Sequence, residues 1–142
     1  GQSMGGAAIA RAMDRLGVQA DGVMVEAVFD TMLQTVRNRF HAMGIPSFPG
    51  AEILVFWGGV LFGFNGFAHR PVYYARRVRC PALFMQGTND PRATLAEARR
   101  VFDAAAGPKE WKEFAGVEHQ SYATAQPEAW AAAVGKFVLS IE

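Results

Sequence analysis

The sequence predicts an α/β protein: a mostly parallel sheet with helices on both faces. Three observations predict it. Runs of strand length alternate with helical stretches along the chain, the pattern of parallel strands joined by crossovers. One of those runs, Pro81 to Gly87, is a continuous apolar stretch ending in glycine, as expected of a strand buried on both faces. Residues able to do chemistry, Ser3, Asp90 and His119, fall at or just past strand ends, where the functional residues of such sheets gather.

Composition narrows the classes. The chain has 142 residues and is 51% hydrophobic, enough for a substantial core. A charged fraction of 19% and a net charge of +1 give no field that would draw in a polyanion, so nucleic acid is not expected as a partner. The single cysteine, Cys80, excludes an internal disulfide and fits a reduced, cytoplasmic setting, with any signal peptide lying upstream of Gly1. The most membrane-like stretch, Ile53 to Phe64, is interrupted by glycines and falls short of the roughly 20 apolar residues a spanning helix needs. It reads as a buried helix or a pocket wall.

The elements follow in order. Gly5 to Leu16 is alanine-rich with apolar positions at helical spacing, and Gly17 stops it. After the Asp21-Gly22 turn, Val23 to Phe29 is a β-rich run. Thr31 or Asp30 can cap a helix over Met32 to Met43, whose outward face carries Arg37, Asn38 and Arg39. Past Pro46 and Pro49, a second helical stretch runs from Ala51 to Val60, and Gly63 to Phe67 is irregular. A short helical patch near Val72 to Arg77 leads to the strand at Pro81 to Gly87. Thr94 to Ala106 is an amphipathic helix with Leu95, Ala98, Val101 and Phe102 inward. Glu110 to Phe114 alternates polar and apolar, as a half-exposed strand near a sheet edge does. Glu128 to Val138 forms the last helix, burying Trp130, Val134, Phe137 and Val138.

Gly1-Gln2-Ser3-Met4-Gly5-Gly6 reads as G-x-S-x-G, a serine on a sharp strand-to-helix turn. Gly1 and Gly5 stand where a Cβ would clash with neighbouring chain, and Gly6 widens the clearance. A serine hydroxyl needs a base to take its proton and a third group to orient that base. Asp90, in Gly87-Thr88-Asn89-Asp90-Pro91, and His119, in Gly116-Val117-Glu118-His119, supply them in the order Ser, Asp, His. Glu26 and Asp30 are rivals for the acid, His41 and His69 for the base, and Ser121 lacks a glycine-flanked turn. No histidine or carboxylate pair has metal-ligand spacing.

With these motifs the chain resembles the C-terminal half of an α/β-hydrolase, from the nucleophile elbow onward. The resemblance spans nearly all of the sequence. It implies that Ser3 is the nucleophile, His119 the general base and then acid, Asp90 the orienting carboxylate, and the Met4 backbone N–H one oxyanion donor, with no cofactor. The expected activity is cleavage of a small carboxylic ester, or an amide or peptide, through an acyl-enzyme. Residues from about 31 to 71 fall where that family inserts lids, so Phe56, Trp57, Phe62, Phe64 and Phe67 either fill core or line a site, core being the commoner fate. Nothing precedes the elbow here. The expectation is therefore a portion of one larger domain, without the family's other oxyanion loop, and with a sheet edge open to its missing half or to another chain.

Overall fold

The computed structural model describes residues 1–141. Its sheet has three parallel strands in the order β1-β2-β3, formed by Val23–Glu26 (β1), Ala82–Gly87 (β2) and Lys109–Phe114 (β3). Val23 is level with Ala82, and Ala82 with Lys109. All three strands therefore open toward the same edge at their C-terminal ends. The chain's first residues join this array: Gln2 forms a parallel bridge with Glu26, the Glu26 N–H donates to the Gly1 carbonyl, and the Ser3 N–H donates to the Glu26 carbonyl at 2.7 Å. The outer side of β1 is thus met by Gly1–Gln2.

Alternation along β1 and β2 divides the core. Val23, Val25, Ala82 and Phe84 face one layer, built on α1 (Met4–Leu16), the short α4 (Pro71–Tyr74) and α5 (Leu95–Ala104). Leu83 and Met85 face the other, closed by Tyr122 from α6 (Tyr122–Ala125) and Phe137 from α7 (Pro127–Ser140). Every residue of β2 is buried, as its apolar run predicts, and the polar Gln86 is buried with it, its amide donating to the Ala93 carbonyl. β3 is the partly exposed edge strand.

Local signals account for the helix ends. Gly17 closes α1 in the left-handed conformation at φ 65°, a region glycine enters without a Cβ penalty. Thr31, rather than Asp30, caps α2 (Met32–Ala42) by accepting from the Gln34 N–H. Thr94 and Glu97 form a reciprocal capping box on α5, and the Lys109 ammonium donates to the carbonyls of Phe102, Asp103 and Ala105 at that helix's other end.

Several expectations are corrected. The first strand ends at Glu26 and not at Phe29, because Ala27 takes a positive φ of 49° and turns Val28 and Phe29 into the core. Asn38 is buried rather than outward: its amide donates to both carboxylate oxygens of the buried Glu97 and to the Arg92 carbonyl. Val138 lies on the exposed side of α7. The aromatics of α3 (Gly50–Phe62) do not fill core: Phe56, Trp57 and Phe62 are all more than half exposed, while the helix buries Ala51, Val55 and Gly59. An Arg37–Glu52 ion pair ties α2 to α3. Among the described residues, no helix is long and apolar enough to cross a membrane.

Candidate functional site

Ser3 stands at the N-cap of α1 with φ 50° and ψ −115°. A serine at an N-cap ordinarily folds its hydroxyl back onto the helix's first N–H groups. Here it makes no such bond, so the strained backbone leaves the Oγ unspent on the helix. Glycine clearance is divided differently from the sequence expectation. A Cβ at Gly1 would stand 2.8 Å from the Gly5 backbone, and one at Gly6 would stand 3.0 Å from Val25 Cγ1. At Gly5 itself a Cβ would meet nothing, so the close approaches belong to Gly1 and Gly6.

Asp90 lies in the loop after β2, with its side chain wholly buried. Its Oδ1 accepts from the N–H groups of Arg92 and Ala93 at 2.8 and 2.9 Å. Its Oδ2 lies 2.7 Å from His119 Nδ1, with the Gln86 amide 3.4 Å away. An ionised carboxylate needs such donors to tolerate burial. His119, in the loop after β3, is partly buried, and a proton on Nδ1 directed at Asp90 leaves Nε2 with a free lone pair.

The two loops are laced together. The Thr88 N–H donates to the Phe114 carbonyl, the Asn89 N–H to the Val117 carbonyl, and the Gly116 N–H to Thr88 Oγ1. At Gly87 a Cβ would collide with the Val117 carbonyl, so glycine is what lets the end of β2 approach the histidine loop. The elbow joins them through flanking residues: Gln2 Nε2 donates to the Gln120 carbonyl at 2.8 Å. Ser3, Asp90 and His119 therefore occupy adjoining loops at one edge of the sheet. Asp90 and His119 are hydrogen-bonded to each other, whereas no hydrogen bond joins the Ser3 hydroxyl to the imidazole.

The rivals are engaged elsewhere. Glu26 Oε1 accepts from the Trp130 indole N–H at 2.7 Å, and Asp30 pairs with Arg100 at 2.8 Å. His69 is buried amid Phe29, Phe64 and Tyr74 with its Nε2 unpartnered, and burial lowers its pKa. His41 lies exposed on α2, and Ser121 Oγ accepts from Thr124. Among the described residues no group of three or more His, Cys, Asp or Glu side chains is placed to hold a metal ion.

Sequence reasoning missed Tyr122. Its phenol is fully buried, stacked on Phe114 at 4.7 Å between ring centres, and accepts from the Gly87 N–H at 2.8 Å. Burial pushes its pKa well above the usual tyrosine range, so it serves as a neutral hydroxyl. A lone tyrosine after a loop carries no signal of this role.

No protein-family model matches the chain, and no curated protein matches it. Solved structures do. A monoacylglycerol lipase from Paleococcus ferrophilus superposes with a TM-score of 0.69 at 18% identity, covering 100% of this chain and 67% of that one. The fold is the α/β-hydrolase fold. Rv0554 from Mycobacterium tuberculosis shares it with a TM-score of 0.68 at 14% identity over 100% of this chain and 65% of its own. The enol-lactonase from Burkholderia xenovorans LB400 does so at 0.63 and 19% identity, over 98% of this chain and 64% of that one. This chain thus spans about two thirds of the length of the α/β-hydrolase-fold proteins it resembles.

Proposed function

We propose that the protein is a serine hydrolase that cleaves carboxylic esters through an acyl-enzyme, with Ser3, His119 and Asp90 as its catalytic groups. The observation that carries this reading is the 2.7 Å contact between His119 Nδ1 and a wholly buried Asp90 carboxylate, one loop away from a serine on a strained turn. Asp90 holds the imidazole with Nε2 free, so Nε2 takes the Ser3 proton as Oγ bonds to the ester carbonyl carbon. The Met4 N–H, at the first turn of α1, faces the negative charge that develops on the carbonyl oxygen. Collapse breaks the bond to the leaving alcohol, which departs with the proton held on Nε2. Water then repeats the sequence: Nε2 takes its proton, its oxygen bonds to the acyl carbon, and Ser3 leaves with the proton returned. Every step is served by side chains and backbone, and the reading needs no cofactor. Amide or peptide bonds remain within the same chemistry.

A second reading keeps the same residues in a chain that becomes active only beside a further segment or a partner chain. It is favoured by the outer side of β1, where among the described residues the backbone pairing is with Gly1–Ser3 alone.

Labelling with a fluorophosphonate, read by intact mass on the protein and on Ser3→Ala, tests both. Stoichiometric labelling that the variant loses supports the first reading. A folded sample that takes no label supports the second, and equal labelling of the variant overturns the assignment of Ser3.

A further inference from the structure

An apolar cleft of about 520 Å³ opens between the start of α1, α2 and α3. That lies within the roughly 300–1,000 Å³ of small-molecule sites. Its walls include Met4, Met32, Val36, Leu54 and Phe62, and Arg39 is the single charged residue lining it. The one hydroxyl in the wall, on Thr35, is already committed to the Arg92 carbonyl at 2.8 Å. Apart from the Arg39 guanidinium, whatever occupies this space finds hydrocarbon and no uncommitted side-chain hydroxyl.

The cleft reaches the elbow through Met4, the residue after Ser3; neither Ser3 nor His119 is itself in its wall. A leaving alcohol and an incoming water must both reach the imidazole, so the part of an ester that can lie in this cleft is its acyl chain.

Two glycines of α3 line the cleft for different reasons. A Cβ at Gly59 would stand 2.6 Å from the Phe64 carbonyl oxygen, so close packing demands glycine there. At Gly58 a Cβ would meet nothing within 4 Å. Glycine within a helix is destabilising relative to alanine, and no neighbour of Gly58 requires it. What its missing side chain provides is room.

We propose that this cleft is the acyl-binding site, that it takes the linear apolar acyl chain of a medium-length carboxylic ester, and that Gly58 sets the length admitted. The inference rests on the reading of Ser3 as nucleophile, since Met4 gains its relevance from that serine.

The test is kcat/KM for p-nitrophenyl esters from acetate through octanoate to decanoate. For the native sequence it rises by up to about fourfold per methylene while the chain is being buried, then falls. Gly58→Phe lowers the octanoate-to-acetate ratio by about tenfold or more and moves the optimum to shorter chains, whereas Gly58→Ala changes it far less. Leu54→Trp, in the same wall, lowers the ratio too and carries the test if Gly58→Phe does not fold. A flat chain-length profile, or a ratio unchanged in both bulky variants, overturns the proposal. Calorimetric binding of octanoate to Ser3→Ala, abolished by adding Gly58→Phe, supports the cleft without any turnover. Absence of fluorophosphonate labelling with octanoate binding retained overturns activity of the chain by itself and leaves the cleft standing. Labelling and turnover without octanoate binding or chain-length dependence overturns the cleft alone.

Discussion

Gln2 Nε2 donates to the carbonyl of Gln120 at 2.8 Å, which ties the residue before Ser3 to the residue after His119. Both partners are exposed, and the bond links segments far apart in sequence. Its value is positional. Gln2→Ala should lower kcat/KM for a p-nitrophenyl ester roughly two- to tenfold, the worth of one such bond, while leaving the thermal midpoint nearly unchanged. Steady-state kinetics with a thermal melt checks both halves, and a fall in stability matching the fall in activity would sink the positional account.

Asp90 and Glu26 separate the acid assignment. Asp90→Asn should lower kcat by about 10³–10⁴, because the amide holds the imidazole in the wrong tautomer. Glu26→Gln keeps an oxygen able to accept from the Trp130 indole and should stay within about tenfold of the parent. The reverse ranking in an ester assay would move the acid to the end of β1.

Tyr122→Phe removes the acceptor of the buried Gly87 N–H and keeps the ring stack on Phe114. The stranded N–H should cost about 1–3 kcal/mol, read as a lower urea midpoint at unchanged slope. Unaltered unfolding would mean that the hydroxyl contributes nothing to holding the acid loop.

His69 makes stability depend on pH. Burial, with a smaller contribution from Arg11, lowers its pKa below the ordinary 6.5, so the folded protein resists the proton that the unfolded chain accepts. Below about pH 6.5 the unfolded state therefore binds more protons and stability falls with falling pH. Stability should therefore be lower at about pH 5.5 than at about pH 7.5, and this contribution to the difference should vanish in His69→Phe, whose ring also removes the unpartnered Nε2. Urea melts of both proteins at the two pH values measure the difference.

Much of the architecture was legible because its signals are local. Gly17 stops a helix by its own conformational freedom, Thr94 and Glu97 cap one within four residues, and Ala82–Met85 declares its burial by its apolar run. What escaped the sequence depends on partners brought from afar. Asn38 reads as one more polar residue on a helix between two arginines until Glu97 is placed against it. Val28 and Phe29 have strand propensity, yet the positive φ at Ala27 takes them out of the sheet. At the site, spacing nominated Ser3, Asp90 and His119. Spacing alone could not show that Trp130 occupies Glu26, that Arg100 occupies Asp30, or that His119 lies against Asp90. Tyr122 had no local signal at all, since its partner is a backbone N–H far back in the chain.

Strand order along the sheet also follows chain order, β1 then β2 then β3, with Ser3 beside the first and His119 beyond the last. During translation Ser3 therefore leaves the ribosome well before His119. On the reading proposed above, a nascent chain carries a hydroxyl on a bent turn with no imidazole near it, and acylation waits until β3 docks and brings the histidine loop against Thr88 and Asn89.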